Sequence, residues 1–270
     1  MCKDKNHLSR NAVFHPFLYR KRKFRFYSES DIKADPTKKI PYAYAFVTDK
    51  KAPIFFIAPG GGYCMVCMGY EGVFIAEAFN RKGINAFVLN YRVGDKAHAP
   101  NPQEDMASLI KYVFSHKEQF GIERDDYSVL GFSAGGHLAG SFSTENVGYK
   151  VYGLPKPRTS VLCYPVLTMG EHTHDTTMMK LTGGNEALKE AYSVEKHADN
   201  FPPCFLWYCE DDKAVPPVNS DELYRVLVEK GIPVKLCAYK KGGHGLGLGY
   251  GFEAFGWFDE MIDFVKDFIY

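Results

Sequence analysis

With 270 residues, 46% of them hydrophobic and 24% charged, the chain suits one large α/β domain and is short for two. A core of that size needs no disulfide or metal support. The formal net charge of +1 gives no global electrostatic case for nucleic acid or an anionic membrane as partner.

Residues 1–38 are polar and aromatic with weak periodicity. The basic cluster Arg20-Lys21-Arg22-Lys23, with Arg25 nearby, reads as a solvated face. Met1 to Ser30 contains no apolar h-region, so no signal peptide is expected. Phe24 to Tyr27 is an early strand candidate. Ile40 to Val47 is the next, placed near a sheet edge because Pro41 lacks an N–H. The run Ile54-Phe55-Phe56-Ile57-Ala58 is apolar throughout, as in a central strand covered on both faces. Tyr70 to Lys82 has helical spacing, with Val73, Ala76 and Phe79 among polar residues and Gly83 as a stop. Ile84 to Asn90 is another buried strand. Asn101-Pro102 opens a helix running to about His116, with Glu104 and Asp105 near its positive end.

A short apolar strand, Tyr127 to Leu130, leads into Gly131-Phe132-Ser133-Ala134-Gly135, and small residues follow to Ser143 as in a tightly packed helix. Ser160 to Tyr164 is a strand stopped by Pro165. Residues 166–199 are polar, rich in His, Thr and Met, and less regular; they read as a lid-like insertion over the mouth of a site. Cys204 to Cys209 is a strand, Asn219 to Lys230 an amphipathic helix closed by Gly231, Val234 to Tyr239 the last strand and Phe255 to Ile269 the last helix. Strands alternate with helices from residue 54 onward. That pattern predicts a single α/β domain over 1–270 with a mostly parallel central sheet and helices on both faces.

The seven cysteines are scattered and odd in number, which favours reduced thiols and a cytoplasmic location. Cys64 and Cys67 form a C-x-x-C without a second pair, so neither a redox nor a metal role is expected. No stretch approaches the ~18 uninterrupted apolar residues of a membrane span.

Strand, G-x-S-x-G, helix is the context of a nucleophile elbow. Ser133 has to sit on a sharp turn so that its hydroxyl stands clear of the sheet. Gly131 and Gly135 remove side chains that would collide there, and the N–H of Ala134 points where an oxyanion would form. A serine nucleophile needs a base, and the base an orienting carboxylate, in the chain order Ser, acid, His. Of nine histidines only His244 lies beyond the Val234–Tyr239 strand, in the flexible turn Lys241-Gly242-Gly243-His244-Gly245. Glu210, Asp211 and Asp212 follow the Cys204–Cys209 strand. The D-x-x-V-P shape of Asp212 to Pro216 selects Asp212, with Asp211 in reserve. Pro59-Gly60-Gly61-Gly62-Tyr63, directly after the Ile54–Ala58 strand, leaves backbone N–H groups uncovered for an oxyanion hole. Tyr63 is a candidate substrate wall or a core tyrosine. His137, one helical turn beyond Ser133, is expected to be packed and hydrogen-bonded. His172-Thr173-His174-Asp175 lacks a second ligand set, so no metal site is predicted.

These pieces, with Asn90-Tyr91-Arg92-Val93 and Tyr164-Pro165-Val166, resemble the α/β-hydrolase superfamily of serine esterases. They are most similar to its bacterial acetyl-xylan-esterase-like and feruloyl-esterase-like carbohydrate esterases. The matching segments run in the right order from residue 54 to 250. Pro59 stands where lipase-type loops carry His, which sets the chain apart from the hormone-sensitive-lipase-like branch. The resemblance implies an α/β-hydrolase fold, the triad Ser133, Asp212 and His244, and backbone donors from Gly61, Gly62 and Ala134. It also implies a small-molecule substrate carrying a short acyl group such as acetyl on a sugar or oligosaccharide, and no cofactor. An amidase or peptidase of the same fold and a non-catalytic binding protein are the alternatives.

Overall fold

The computed structural model describes residues 21–270. Eight strands form one sheet in the order β1-β2-β4-β3-β5-β6-β7-β8. They are β1 Arg22–Phe24, β2 Tyr42–Phe46, β3 Ile54–Ala58, β4 Asn85–Asn90, β5 Ser128–Phe132, β6 Ser160–Cys163, β7 Cys204–Cys209 and β8 Val234–Tyr239. The helices are α1 Glu29–Ala34, α2 Phe74–Arg81, α3 Asn101–Ser115, α4 Lys117–Phe120, α5 Ser133–Phe142, α6 Asp175–Thr182, α7 Glu186–Tyr192, α8 Val218–Glu229 and α9 Trp257–Ile269. From β4 through β8 the sheet is parallel; β1 and β2 pair antiparallel at one side.

β3 shows why the run is apolar throughout. Side chains alternate across a strand. Ile54, Phe56 and Ala58 enter one core with residues of α3, α5 and α8. Phe55 and Ile57 enter the other with Ile75 and Phe79 of α2 and Trp257, Met261 and Val265 of α9. Helices therefore cover both faces, and the loops at the carboxyl ends of β3, β5, β7 and β8 meet on one rim, where ligands bind in such sheets.

The first strand lies earlier than the sequence pattern indicates. Its Phe24 docks on Phe87, Tyr112 and Phe120, while the Lys23 ammonium sits 3.7 Å over the Tyr42 ring. The chain leaves the sheet after Phe24, and the Ser28 side chain caps α1 in a reciprocal bond with Asp31. β1 thus shields β2, and the edge is Arg22–Phe24 rather than the segment after Pro41. Lys21, Arg22 and Lys23 are exposed as expected; Arg20, and most of the Met1–Ser30 stretch in which no signal peptide is expected, lie outside the described residues.

Glu104 and Asp105 do more than face a helix terminus. The Arg92 side chain, which is fully buried, donates from Nε to both Asp105 oxygens at 3.0 and 3.1 Å, and from its guanidinium to Asp35 and Glu104. The Arg92 backbone N–H and the Tyr27 hydroxyl also donate to Asp105. This cluster fixes the chain after β4 against α3. Removing the cation leaves a buried carboxylate without its partner, so Arg92→Ala is expected to cost about 3–5 kcal/mol of stability, read by urea unfolding. A change within about 0.5 kcal/mol, as at an ordinary surface site, would contradict this assignment.

Residues 166–199 are more regular than their composition implies. They carry α6 and α7, and Val166, Leu167, Met169, Leu181 and Val194 sit in the core beside α5. His174 caps α6 and faces the carboxyl-end rim.

Candidate active site

β5 ends at Phe132 with extended backbone, and Ser133 begins α5 with φ 53°. A non-glycine residue there is strained, as a nucleophile elbow requires. Its glycines are forced by close approach. A Cβ on Gly131 would meet the Gly135 carbonyl oxygen at 2.0 Å, and one on Gly135 would meet the Ala58 carbonyl oxygen at 2.1 Å. Helix α5 is thereby pressed onto the end of β3, beside the glycine loop.

Ser133 is 9% exposed and lines a cleft. Its Oγ lies 2.8 Å from His244 Nε2, and His244 Nδ1 lies 2.6 Å from Asp212 Oδ2. The buried carboxylate accepts, so Nδ1 carries the proton and Nε2 is free to accept from the serine hydroxyl. Asp212 Oδ1 accepts the N–H groups of Ala214 and Val215 at 2.8 and 3.0 Å, which fixes the carboxylate plane. Asp211 is not beside the imidazole. Its Oδ1 accepts from Gly242 and Gly243 N–H at 3.0 and 2.8 Å and so anchors the loop that carries His244.

The glycine loop folds back on itself. Gly61 has φ 129° and Gly62 φ 63°, and the Gly61 carbonyl accepts from Cys64 and Met65. Gly60 N–H donates to the Glu71 carboxylate at 2.8 Å. Among the described residues, the N–H groups of Gly61 and Gly62 donate to no protein acceptor. Gly61 and Gly62 line the Ser133 cleft, and Ala134, in the first turn of α5 next to Ser133, carries an N–H without an intrahelical partner.

Tyr63 is not a substrate wall. It has φ 57°, is fully buried, and its ring meets Tyr91 edge-on. Its hydroxyl donates to His137 Nδ1 at 3.0 Å, and His137 Nε2 donates to the Tyr192 carbonyl at 2.8 Å. Left-handed backbone at Tyr63 turns the ring inward, away from the cleft. Burial lowers the His137 pKa to about 4, so that ring is neutral and structural, as expected of it.

Two groups at the site escaped the sequence reading. Glu71 is 2% exposed, and burial pushes its carboxyl above the usual range. Tyr164 OH donates to Glu71 Oε1 at 2.7 Å, and the Gly247 N–H donates to the Tyr164 oxygen at 3.1 Å. The second group is His174, considered in the sequence only as a metal ligand. The Thr177 N–H donates to its Nδ1 at 3.3 Å, so in the neutral ring Nε2 carries the proton. Burial and the neighbouring His244 lower its pKa, which keeps it neutral. Its Cε1 lies 3.6 Å from where a Cβ on Gly62 would stand. His174, Gly61, Gly62, Ser133 and His244 line a cleft of about 190 Å³. Among the described residues no cluster of His, Cys, Asp and Glu has metal-binding geometry.

A hydroxyl hydrogen-bonded to an oriented imidazole, with free amides in the same small cleft, is an arrangement that can carry out acyl transfer. The BD-FAE family model matches residues 44–151. The chain is 35% identical over 219 residues to endo-1,4-beta-xylanase B of Butyrivibrio fibrisolvens, covering 76% of this chain and 34% of that protein. It is 32% identical over 206 residues to an acetylxylan esterase of Xylanibacter ruminicola, covering 72% and 41%. The chain thus spans 34% and 41% of the length of these two relatives. Among solved structures, the acetyl ester-xyloside bifunctional hydrolase of Caldicellulosiruptor lactoaceticus superposes with a TM-score of 0.83 at 30% identity, covering 94% of this chain and 98% of that one.

Proposed function

The chain belongs to the α/β-hydrolase carbohydrate esterases, a family of carboxylic ester hydrolases, and from that premise we propose that it removes short acyl groups, acetyl foremost, from sugars or short oligosaccharides by a serine acyl-enzyme route. The observation that carries this is the continuous chain from Ser133 Oγ through His244 to Asp212, opening onto a cleft beside the free glycine amides. In this reading His244 accepts the Ser133 proton as Oγ attacks the ester carbon. Asp212 keeps the imidazole in the accepting tautomer and stabilises the imidazolium. The N–H groups of Gly61, Gly62 and Ala134 stabilise the oxyanion. His244 then gives its proton to the leaving sugar oxygen. A water molecule, deprotonated by the same nitrogen, attacks the acyl carbon, and the acid departs as Ser133 regains its proton.

The acetyl preference is supported by the cleft of about 190 Å³, small beside the 300–1,000 Å³ of drug-sized ligand pockets. It is supported too by the acetyl ester and acetylxylan activities in the names of the relatives. His174, a neutral donor opposite His244, suits a sugar hydroxyl on the alcohol side. The experiment is hydrolysis of p-nitrophenyl acetate and butyrate, a matched anilide, and acetylated xylo-oligosaccharides. The reading predicts acetate turned over faster than butyrate, acetate released from the oligosaccharides, and the anilide the poorest. His174→Ala should raise KM for the oligosaccharides about 3- to 10-fold more than KM for p-nitrophenyl acetate, the worth of one hydrogen bond. Turnover confined to the anilide would instead make the chain an amidase.

A further inference from the structure

Glu71 is a buried carboxylate that the proposed chemistry does not use. It lies in a π-helical turn, Gly69–Val73, directly before α2. Such turns are uncommon and cluster at functional sites. The turn swings Glu71 inward while its neighbour Tyr70 stays 43% exposed. Gly72 lets the turn press in, since a Cβ there would stand 2.8 Å from Val88 and 3.2 Å from the Pro59 ring. The carboxylate arrives under the glycine loop. A Cβ on Gly60 would meet Glu71 Oε2 at 2.8 Å and Ser133 Cβ at 3.0 Å, so Gly60 is held between the carboxylate and the elbow.

From there a chain of bonds crosses the site. Gly60 N–H donates to Glu71 Oε2 at 2.8 Å, Tyr164 OH to Glu71 Oε1 at 2.7 Å, and Gly247 N–H to the Tyr164 oxygen at 3.1 Å. The Trp257 indole N–H holds the Gly247 carbonyl at 2.9 Å. The Tyr164 ring also stands edge-on to His244, with centroids 4.8 Å apart. One carboxylate thus connects the loop after β3, which carries Gly61 and Gly62, to the loop after β8, which carries His244.

We propose that Glu71 is a positioning residue that registers the oxyanion loop against the histidine loop through Tyr164. This rests on the reading of Gly61, Gly62 and His244 as reacting groups. A shift of an ångström between such parts costs about 10² in rate. Glu71→Leu, which keeps the apolar volume and removes both acceptors, is therefore expected to lower kcat on p-nitrophenyl acetate by about 10²-fold with KM within about threefold. Glu71→Gln recovers part of that loss, because its amide oxygen accepts from Gly60 while its NH₂ donates to the Tyr164 oxygen. Because the two residues act in one chain, adding Tyr164→Phe to Glu71→Leu should cost little more than Glu71→Leu alone.

Backbone hydrogen exchange supplies a readout independent of activity. In Glu71→Leu, peptides covering residues 60–62 and 243–247 should both exchange faster than in wild type. Faster exchange confined to residues 69–73, or a kcat within twofold of wild type in an active enzyme, would overturn the proposal. A rate loss matched by an equal loss of folded protein in Glu71→Gln would also overturn it. If wild type shows no Ser133-dependent hydrolysis, the functional reading fails, and paired exchange at the two loops still decides the structural link.

Discussion

Ser133→Ala is expected to lose ester hydrolysis by about 10⁴- to 10⁶-fold in kcat while remaining folded. The hydroxyl lies 2.8 Å from His244 Nε2, and in the proposed route its oxygen becomes the acyl oxygen. Alanine suits the φ of 53° about as well as serine, so the elbow and α5 keep their geometry and Tm should change little. The amides of Gly61, Gly62 and Ala134 stay in place. A residual rate above that of water is therefore part of the expectation, on the order of 10³-fold, as for triad enzymes stripped of their nucleophile. Steady-state rates with p-nitrophenyl acetate, alongside circular dichroism of both proteins, check this. Equal rates in the two folded proteins would remove the serine-esterase reading and leave only the fold.

Asp212→Asn has the second largest expected effect, about 10⁴-fold in kcat, and the structure gives the reason. Asp212 Oδ1 accepts two backbone N–H groups, from Ala214 and Val215. An asparagine must satisfy them with its carbonyl oxygen, since an amide NH₂ there would face two donors. The NH₂ is then turned toward His244, at the position from which Oδ2 now faces Nδ1 at 2.6 Å. Nδ1 has to accept, so the proton moves to Nε2, which then points a donor at Ser133 and cannot take its proton. The variant should fold, bind substrate with KM close to wild type, and lose kcat. A kcat within tenfold of wild type would mean that the tautomer is set elsewhere.

Where the sequence was legible, short-range sterics had written it. The G-x-S-x-G pattern is forced because Gly131, Gly135 and the end of β3 approach closer than a Cβ permits. The alternating burial of β3 follows from two helical layers, and Asp212 follows β7, which is apolar and buried throughout, while His244 follows the half-buried β8 in a glycine-rich turn. Less legible were residues whose direction is set by unusual backbone. Tyr63 follows the glycines and resembles a substrate wall until its φ of 57° turns it into the core. Glu71 falls in a segment read at the period of an α-helix, where it passes for a polar-face residue; the π-helical turn shifts that phase and buries it. His174 lies in a stretch whose apolar residues, Val166, Leu167 and Met169 among them, keep no regular period because they fill gaps beside α5. Asp211 and Asp212 are adjacent carboxylates, and the D-x-x-V-P shape that favours Asp212 says nothing of what Asp211 does. Only the path of the chain gives Asp212 the imidazole and Asp211 the loop amides.

The most direct measurement is site-resolved labelling of the folded protein with a fluorophosphonate, followed by mass spectrometry of the digested chain. A hydroxyl activated by His244 attacks phosphorus, expels fluoride and retains the phosphonyl group. The predicted result is one adduct per chain, on Ser133, appearing in step with the loss of p-nitrophenyl acetate hydrolysis. An adduct on another residue, or full hydrolytic activity with Ser133 unlabelled, would contradict the assignment of Ser133 as the nucleophile.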